Sequence, residues 1–216
     1  MSIIMNYVID YDSTFIQVES LDELSKTSKS YNQKNQNEIE KITNMGMDGK
    51  ISFSESLERR IKLIKSSRED IRCTLEILEN RITNSFLKNK NFFKTNSDKI
   101  YIVSSGFHEL IDPIVLKFGI KKEHIFANNF LFKDKNIVGF DRNNPLSRSK
   151  GKVEIIKRLN LKGKVLVIGD GYTDYEIKKE GYADSFFLFT ENIKRDSIVK
   201  SADYLLKSLD QLFKII

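Results

Sequence analysis

A short apolar run opens the chain and stops abruptly at an acidic residue. Residues 3–9 are mostly branched or aromatic, and Asp10 follows them directly. This pattern is typical of a buried strand of a parallel sheet, with polar groups placed at its carboxyl end. It predicts a first strand over residues 3–9.

The next stretch, from about residue 21 to 87, changes to helical spacing. Apolar residues recur every three or four positions in residues 57–64 and 71–82, which predicts amphipathic helices. Ser52 is predicted to cap one of them, because Glu55 follows three residues later. This stretch shows no convincing strand pattern.

From residue 99 onward, strand and helix patterns alternate. This alternation predicts a parallel sheet with helices on both faces. We therefore predict an α/β fold: a doubly wound, Rossmann-like core of residues 1–15 and 90–216, with a small helical cap of residues 16–89 inserted after the first strand. The predicted core strands cover residues 100–103, 164–168 and 185–189, with a strand and hairpin in 124–139, and the predicted helices cover residues 106–118, 150–159, 172–180 and 208–216.

Composition and charge narrow the class of protein. The chain has 216 residues and a net charge of +6, but its lysines are scattered among acids and form no arginine-rich stripe, so we predict no nucleic-acid partner. Its single cysteine, Cys73, excludes an intrachain disulfide and is predicted to be a small buried residue. No signal-peptide or membrane-span pattern appears, which predicts a cytoplasmic protein without a membrane partner. The oligomeric state is not predicted.

Polar clusters lie at the ends of the predicted strands. Asp10 and Asp12 are two residues apart on an extended segment, so they point the same way, and a divalent cation would relieve their repulsion. Ser104 precedes a predicted helix whose free amides suit phosphate, and Lys150 offers a positive charge. Residues 169–174 add carboxylates on a tight turn. Each cluster alone is typical of a solvated turn or cap, but together they predict one site.

In order and spacing, the clusters match a known set of motifs. The chain resembles the haloacid dehalogenase-like phosphatases through Asp10-Tyr11-Asp12-Ser13-Thr14, Ser104, Lys150 and the Gly169-to-Asp174 turn. Within that superfamily it most resembles the phosphoserine phosphatase family, which carries a small helical cap between the first and second motifs. The helical stretch here occupies that position.

The cap also resembles that family residue by residue. Glu19 lies nine positions after Asp10 and matches the family's glutamate that faces the substrate amino group. Met47, Phe53 and Arg60 match its pocket, in which the arginine binds the substrate carboxylate. The resemblance therefore implies O-phospho-L-serine, a small phosphomonoester, as the substrate.

The resemblance also implies a mechanism with Mg²⁺ as cofactor. Asp10 would be the nucleophile and form an aspartyl-phosphate. Asp10, the backbone carbonyl of Asp12, and Asp170 would hold the cation, while Asp174 would orient its waters. Asp12 would act as general acid and then as general base.

The same resemblance assigns the phosphate contacts. Ser104, the Ser105 amide and Lys150 would bind the phosphoryl oxygens, with Thr173 also in the pocket, and Lys152 is the alternative to Lys150. This chain departs from the family at two of these positions. Ser105 stands where the family usually has glycine, and Thr173 stands where it often has asparagine.

Alternative functions remain open at this point. A related phosphatase or phosphotransferase could act on another small phosphomonoester, such as homoserine phosphate or a keto sugar phosphate. A non-catalytic binding module is disfavoured because no motif carboxylate is missing. A basic nucleic-acid-binding domain would require steeply salt-dependent binding, which we do not expect.

Overall fold

A parallel sheet forms the centre of the fold. The computed structural model describes residues 4–28, 31–47 and 50–216, apart from the side chain of Met47. Its strands are β1 (Met5–Ile9), β2 (Ile100–Phe107), β3 (Ile125–Asn128), β4 (Phe130–Lys133), β5 (Asn136–Phe140), β6 (Lys164–Gly169), β7 (Ser185–Phe189) and β8 (Tyr204–Leu206). Six of them form one sheet in the order β3-β2-β1-β6-β7-β8, and each neighbouring pair is parallel. β4 and β5 form a separate antiparallel hairpin.

The strand order reverses direction at β1. From β1 the chain passes to β2 and β3 on one side, then returns to β6, β7 and β8 on the other. β1 therefore lies between β2 and β6, at the topological switch point where doubly wound sheets bind ligands. This arrangement confirms the predicted α/β fold class.

Helices cover both faces of the sheet. They are α1 (Ser20–Thr27), α2 (Gln33–Met47), α3 (Phe53–Leu63), α4 (Arg68–Glu79), α5 (Asn84–Lys88), α6 (Lys90–Thr95), α7 (His108–Val115), α8 (Gly151–Leu159), α9 (Tyr172–Lys179), α10 (Asp196–Val199) and α11 (Leu209–Leu212). Successive strand residues point to opposite faces. Ile9 and Ile102 accordingly pack in a cluster with α5, α6, α7 and α11, while Val8 and Val103 pack with α8, α9 and α10.

Four helices of the segment between β1 and β2 pack as two pairs, α1 with α4 and α2 with α3. The Ser52 hydroxyl accepts a hydrogen bond from the Glu55 amide at 3.2 Å, which confirms the predicted cap of α3. The exact domain boundaries stay a prediction. No helix in the described ranges is both long and apolar enough to cross a bilayer.

The structure corrects the predicted start of the helix after the second core strand. Strand β2 continues through Ser104, Ser105 and Gly106, and α7 begins only at His108. The pairing of β2 with β3 is irregular between Val103 and Phe107, so β2 bulges toward its carboxyl end. The serine cluster therefore belongs to a bulged strand end rather than to a helix N-terminus.

Other predictions fail where the sequence signal is short or out of phase. Strand β8 has three residues and was not predicted, and the last helix ends at Leu212 rather than at Ile216. Cys73 is exposed, contrary to the prediction. It lies on α4, whose buried side includes Ile71 and Leu78, so the helical phase turns the thiol toward solvent.

An aromatic cluster anchors the segment that follows Asp10. The ring of Phe15, which is fully buried, lies 5.2 Å from that of Phe86, 5.5 Å from Phe93 and 4.8 Å from Phe118 between centroids. These edge-to-face contacts add to the free energy of burial. The segment that follows Asp10 is therefore held in place by the packing of Phe15 in the core.

We expect Phe15→Ala to lower the free energy of unfolding by about 3–5 kcal/mol, because it leaves a cavity within this cluster. Urea denaturation measures the change. Phe213→Ala is the control, because that ring is 38% exposed, and its loss should cost about 1 kcal/mol. Equal losses in the two variants would contradict the anchoring role of Phe15.

Candidate active site

Three buried carboxylates meet at the switch point. Asp10 follows β1, Asp170 follows β6 and Asp174 lies in the first turn of α9; the three are 6%, 1% and 2% exposed. One oxygen from each lies within 4.8 Å of the others, and Asp170 Oδ1 has no hydrogen-bond partner. A hard divalent cation such as Mg²⁺ prefers such oxygen ligands, so this cluster fits one. That the backbone carbonyl of Asp12 also binds the cation stays a prediction.

Burial makes the charged forms of these acids costly. It raises the pKa of Asp170 to about 7, although Arg195 opposes the shift. Burial, reinforced by the negative charge of Asp10, raises the pKa of Asp174 to about 8, and Lys152 opposes that shift. A nearby cation favours the ionised carboxylates. The electrostatics of the cluster therefore favour cation binding.

Lys152, rather than Lys150, lies beside the buried carboxylates. Lys152 is 4% exposed, and its Nζ lies 2.7 Å from Asp10 Oδ1 and 2.8 Å from Asp174 Oδ1. Burial lowers the pKa of Lys152, but the two carboxylates outweigh it and the net direction is upward. The Lys150 side chain is 58% exposed and pairs with Glu180 at 2.7 Å. Lys152 therefore lies beside the acids and Lys150 does not, while the choice of the lysine that binds phosphate stays a prediction.

The local backbone conformation explains why Lys152, and not Lys150, faces the buried carboxylates. Lys150 has a left-handed conformation, with φ of +61°, and immediately precedes α8. Its side chain therefore leaves the helix start toward the surface. Lys152 lies one position inside the helix and is turned toward the ends of the strands.

Asp12 lies beside the cluster with a different environment. Its Oδ1 accepts a hydrogen bond from the Ser20 amide at 2.8 Å. Burial and then the negative charge of Glu19 raise the pKa of Asp12 well above its ordinary value, although the Ser20 contact opposes this. A raised pKa favours the protonated form of a carboxyl group, which is the form that can donate a proton.

The bulged end of β2 presents hydroxyl and amide groups to the same space. The Ser104 hydroxyl accepts a hydrogen bond from the Gly106 amide at 3.0 Å, so its own proton remains available to a ligand. Asn128 Nδ2 donates to the carbonyl of Ser105 at 2.9 Å and holds the bulge from the neighbouring strand. A Cβ atom on Gly106 would lie 3.1 Å from Asp12 Oδ2, so glycine allows the close approach.

The turn after β6 is equally tight. A Cβ atom on Gly169 would lie 2.2 Å from Asp174 Cγ, so only glycine fits there. Asp174 Oδ2 accepts a hydrogen bond from the Gly171 amide at 3.2 Å. The Gly-Asp-Gly sequence thus brings Asp170 and Asp174 together without steric conflict.

The inserted helices supply residues of opposite charge. Glu19 immediately precedes α1, and its Oε1 accepts a hydrogen bond from the Ser13 hydroxyl at 2.7 Å. Burial and then Asp22 raise the pKa of Glu19. Arg60, on α3, is buried; its Nη1 donates to Thr43 Oγ1 at 3.4 Å, and its Nε has no hydrogen-bond partner.

A cavity of about 50 Å³ is lined both by residues of the sheet core and by residues of the inserted helices. It brings together most of the predicted site residues, and a wider opening of about 270 Å³ adjoins it, lined in part by Lys150. Asp170 and Asp174 are not among the residues that line this cavity. The side chain of Met47, with Asp48 and Gly49, lies outside the described residues. The predicted residues that line the cavity are Asp10, Asp12, Glu19, Phe53, Arg60, Ser104, Ser105 and Thr173.

Sequence reasoning missed two members of this region, Thr43 and Arg195. Thr43 contacts Arg60 and also donates to Asp22 Oδ1 at 3.0 Å. Arg195 follows β7 and contacts Asp170 through its Nε at 2.8 Å. The available signal for Arg195 was its position after a parallel strand, the same signal that marked the other clusters.

Comparison with known proteins gives the family. No family model matches the chain. It is 32% identical over 208 residues to the chloroplastic phosphoserine phosphatase of Arabidopsis thaliana, a match that covers 94% of this chain and 68% of the relative. It is 28% identical over 207 residues to the phosphoserine phosphatase of Homo sapiens, covering 94% of this chain and 89% of that one.

Solved structures agree with these relatives. A phosphoserine phosphohydrolase-like protein from Francisella tularensis superposes with a TM-score of 0.88 and 31% identity, covering 99% of this chain and all of that one. A substrate-bound phosphoserine phosphatase has a TM-score of 0.81 at 21% identity, covering 100% and 99% of the two chains, and shows the same fold. The chain therefore belongs to the phosphoserine phosphatase family, as its motifs predicted.

Proposed function

We propose that this protein hydrolyses O-phospho-L-serine to serine and phosphate, with Mg²⁺ and an aspartyl-phosphate on Asp10. One observation carries the proposal. A single cavity is lined by Asp10 and Asp12 on the core side and by Glu19 and Arg60 on the side of the inserted helices. The first pair suits phosphoryl transfer, and the second suits the ammonium and carboxylate groups of an amino acid.

Asp10 is the proposed nucleophile. Its Oδ1 accepts hydrogen bonds from the Tyr11 amide and from Lys152 Nζ, both at 2.7 Å, which fixes the carboxylate at the end of β1. The other oxygen is proposed to attack phosphorus in line, expelling the seryl oxygen and leaving the phosphoryl group on Asp10.

Asp12 is the proposed general acid and base. Its raised pKa supports a protonated state at the start of the reaction, in which it donates the proton to the leaving seryl oxygen. The resulting carboxylate then accepts a proton from the water that hydrolyses the phosphorylated Asp10. Two neighbouring carboxyl groups thus take different roles because their environments differ.

The cation would be held by Asp10, Asp170 and the backbone carbonyl of Asp12, with Asp174 orienting its waters. When bound, Mg²⁺ neutralises charge on the phosphoryl oxygens. The free Oδ1 of Asp170 and the convergence of the buried carboxylates support this assignment.

Protein groups are also proposed to bind the phosphoryl oxygens. They are the Ser104 hydroxyl, the Ser105 amide and Lys152, with Thr173 at the cavity wall. Phosphoryl transfer depends mainly on such positioning and charge neutralisation. Losing one preorganised donor typically costs about 2.7–4 kcal/mol of transition-state stabilisation.

Glu19 and Arg60 are proposed to give the specificity for phosphoserine. Arg60 is buried with a free Nε, which suits a carboxylate ligand, and Glu19 suits the ammonium group. Phe53 lines the same cavity, and Met47 is proposed to complete the pocket. The predicted cytoplasmic location stays a prediction, and the Arabidopsis relative is a chloroplastic protein by name.

A substrate panel tests the function and separates it from the alternatives. Phosphoserine, homoserine phosphate, a keto sugar phosphate and p-nitrophenyl phosphate are assayed with Mg²⁺, with and without EDTA. We expect kcat/KM to be highest for phosphoserine and all turnover to disappear with EDTA. A preference for another ester would favour the alternative phosphatase, and no preference over p-nitrophenyl phosphate would contradict the proposed specificity.

Variants of two adjacent arginines sharpen this test. Arg60→Ala should lower kcat/KM for phosphoserine at least about 100-fold, because a charged hydrogen-bonding partner is lost, but that for p-nitrophenyl phosphate far less. Arg59→Ala is the matched control, since Arg59 is 39% exposed and pairs with Glu38 and Glu55 outside the cavity. It should behave as wild type, and equal effects of the two variants would rule out carboxylate binding by Arg60.

A pair of lysine variants tests the proposal that Lys152, rather than Lys150, binds the phosphoryl group. Lys152→Ala should lower kcat for phosphoserine about 10²–10³-fold, because it removes a preorganised donor beside the nucleophile. Lys150→Ala removes only an exposed ion pair with Glu180 and should change kcat less than about threefold. Steady-state assays at saturating Mg²⁺ decide between them, and the reverse order of effects would contradict the assignment.

A further inference from the structure

Arg195 is a buried arginine that lies outside the sequence motifs described above. It lies between β7 and α10, and its side chain is 8% exposed. Its Nε lies 2.8 Å from Asp170 Oδ2, and its Nη2 lies 3.6 Å from Glu19 Oε1. One guanidinium group therefore lies between Asp170, a member of the buried carboxylate cluster, and Glu19, at the start of the inserted helices.

The contact with Asp170 fixes one oxygen and leaves the other available. Oδ2 accepts the hydrogen bond from Arg195, whereas the buried Oδ1 has no hydrogen-bond partner. A partner that holds one carboxylate oxygen sets the orientation of the other toward a metal ion. Removing Arg195 would let the Asp170 carboxylate rotate.

The contact with Glu19 is electrostatic rather than a short hydrogen bond. At 3.6 Å, Nη2 stabilises the negative charge of Glu19, while the Ser13 hydroxyl donates to Oε1 at 2.7 Å. A carboxylate accepts about four hydrogen bonds, so Glu19 retains capacity for an ammonium group. Arg195 and Ser13 thus both hold Glu19 at the cavity wall through its Oε1 atom.

The loop that carries Arg195 is itself firmly tied to the site. Asn192 Nδ2 lies 2.7 Å from Thr83 Oγ1 and 3.1 Å from the carbonyl oxygen of Ser13. Thr83 Oγ1 in turn donates to the carbonyl of Thr14 at 2.6 Å. These contacts join the loop after β7 to the segment that follows the nucleophile, so the position of Arg195 is set by both.

We propose that Arg195 is a positioning residue that couples the cation site to recognition of the substrate's amino group. It orients Asp170 and holds Glu19 with one rigid planar group. The part concerning the amino group rests on the proposed function, whereas the part concerning Asp170 does not. Lysine would replace the charge of Arg195 but not its forked geometry.

The test compares Arg195→Met, Arg195→Lys, Glu19→Gln and the double variant Arg195→Met/Glu19→Gln. Titration calorimetry with Mg²⁺ alone gives the metal affinity without turnover. Steady-state assays give kcat and KM for phosphoserine and for p-nitrophenyl phosphate. Arg158→Met is the control, because Arg158 pairs with Glu154 on the surface of α8.

We expect Arg195→Met to weaken Mg²⁺ binding at least tenfold, as losses of such supporting contacts do, and Arg195→Lys to restore it in part. Arg195→Met should also lower the preference for phosphoserine over p-nitrophenyl phosphate at least fivefold. Glu19→Gln should lower that preference while changing Mg²⁺ affinity less than threefold. The double variant should lose no more preference than Glu19→Gln alone, because both substitutions act through one interaction.

The proposal is overturned if folded Arg195→Met binds Mg²⁺ as wild type does, or if its effect on preference adds fully to that of Glu19→Gln. Circular dichroism checks the fold, and Arg195→Lys carries the same comparisons if the methionine variant does not fold. If wild type shows no preference for phosphoserine, the proposed function fails. The Mg²⁺ titration then still decides whether Arg195 positions Asp170.

Discussion

The pairing of Lys152 with Asp10 and Asp174 is the contact on which the site depends. Five carboxylates converge near the carboxyl ends of the central strands: Asp10, Asp12, Glu19, Asp170 and Asp174. Three of them, Asp10, Asp170 and Asp174, are almost fully buried. Isolated buried charges are very costly, so such a cluster requires cations. Lys152 and Arg195 supply two positive charges within the protein, and Asp170 Oδ1, which has no hydrogen-bond partner, is left as a ligand atom for a metal ion.

The topology explains why so few residues suffice to build this arrangement. β1 lies between β2 and β6, so the ends of three strands deliver Asp10, Ser104 and Asp170 to one place. The chain enters its helical insertion soon after Asp10, so that Glu19, nine residues later, lines the same cavity as Asp10. The sheet thus fixes the groups suited to phosphoryl transfer, while the insertion supplies those suited to the rest of the substrate.

Much of this could be predicted because strand ends leave a clear trace. An apolar run that stops at a carboxylate or serine located Asp10, Ser104 and Asp170, and the alternation of strands and helices predicted the fold class. Side-chain direction leaves no such trace. Whether Lys150 or Lys152 faces the site depends on the left-handed backbone of Lys150, and the exposure of Cys73 depends on the exact phase of α4.

Residues in irregular segments were harder still to predict. Arg195 lies in a loop without periodicity, and its role follows only from contacts with Asp170 and Glu19, which are far away in sequence. The bulge at Ser104 and Ser105 arises from an irregular pairing of two strands, which the sequence of one strand does not reveal. Tertiary contacts, rather than local preference, determine these features.

The central claim is that Asp10 takes the phosphoryl group. The most direct measurement is rapid acid quenching of the enzyme during turnover of radiolabelled phosphoserine, followed by mapping of the labelled peptide. Label on Asp10, sensitive to hydroxylamine and absent from a folded Asp10→Asn variant, is the predicted result. Label on another residue, or undiminished turnover by Asp10→Asn, would contradict the account.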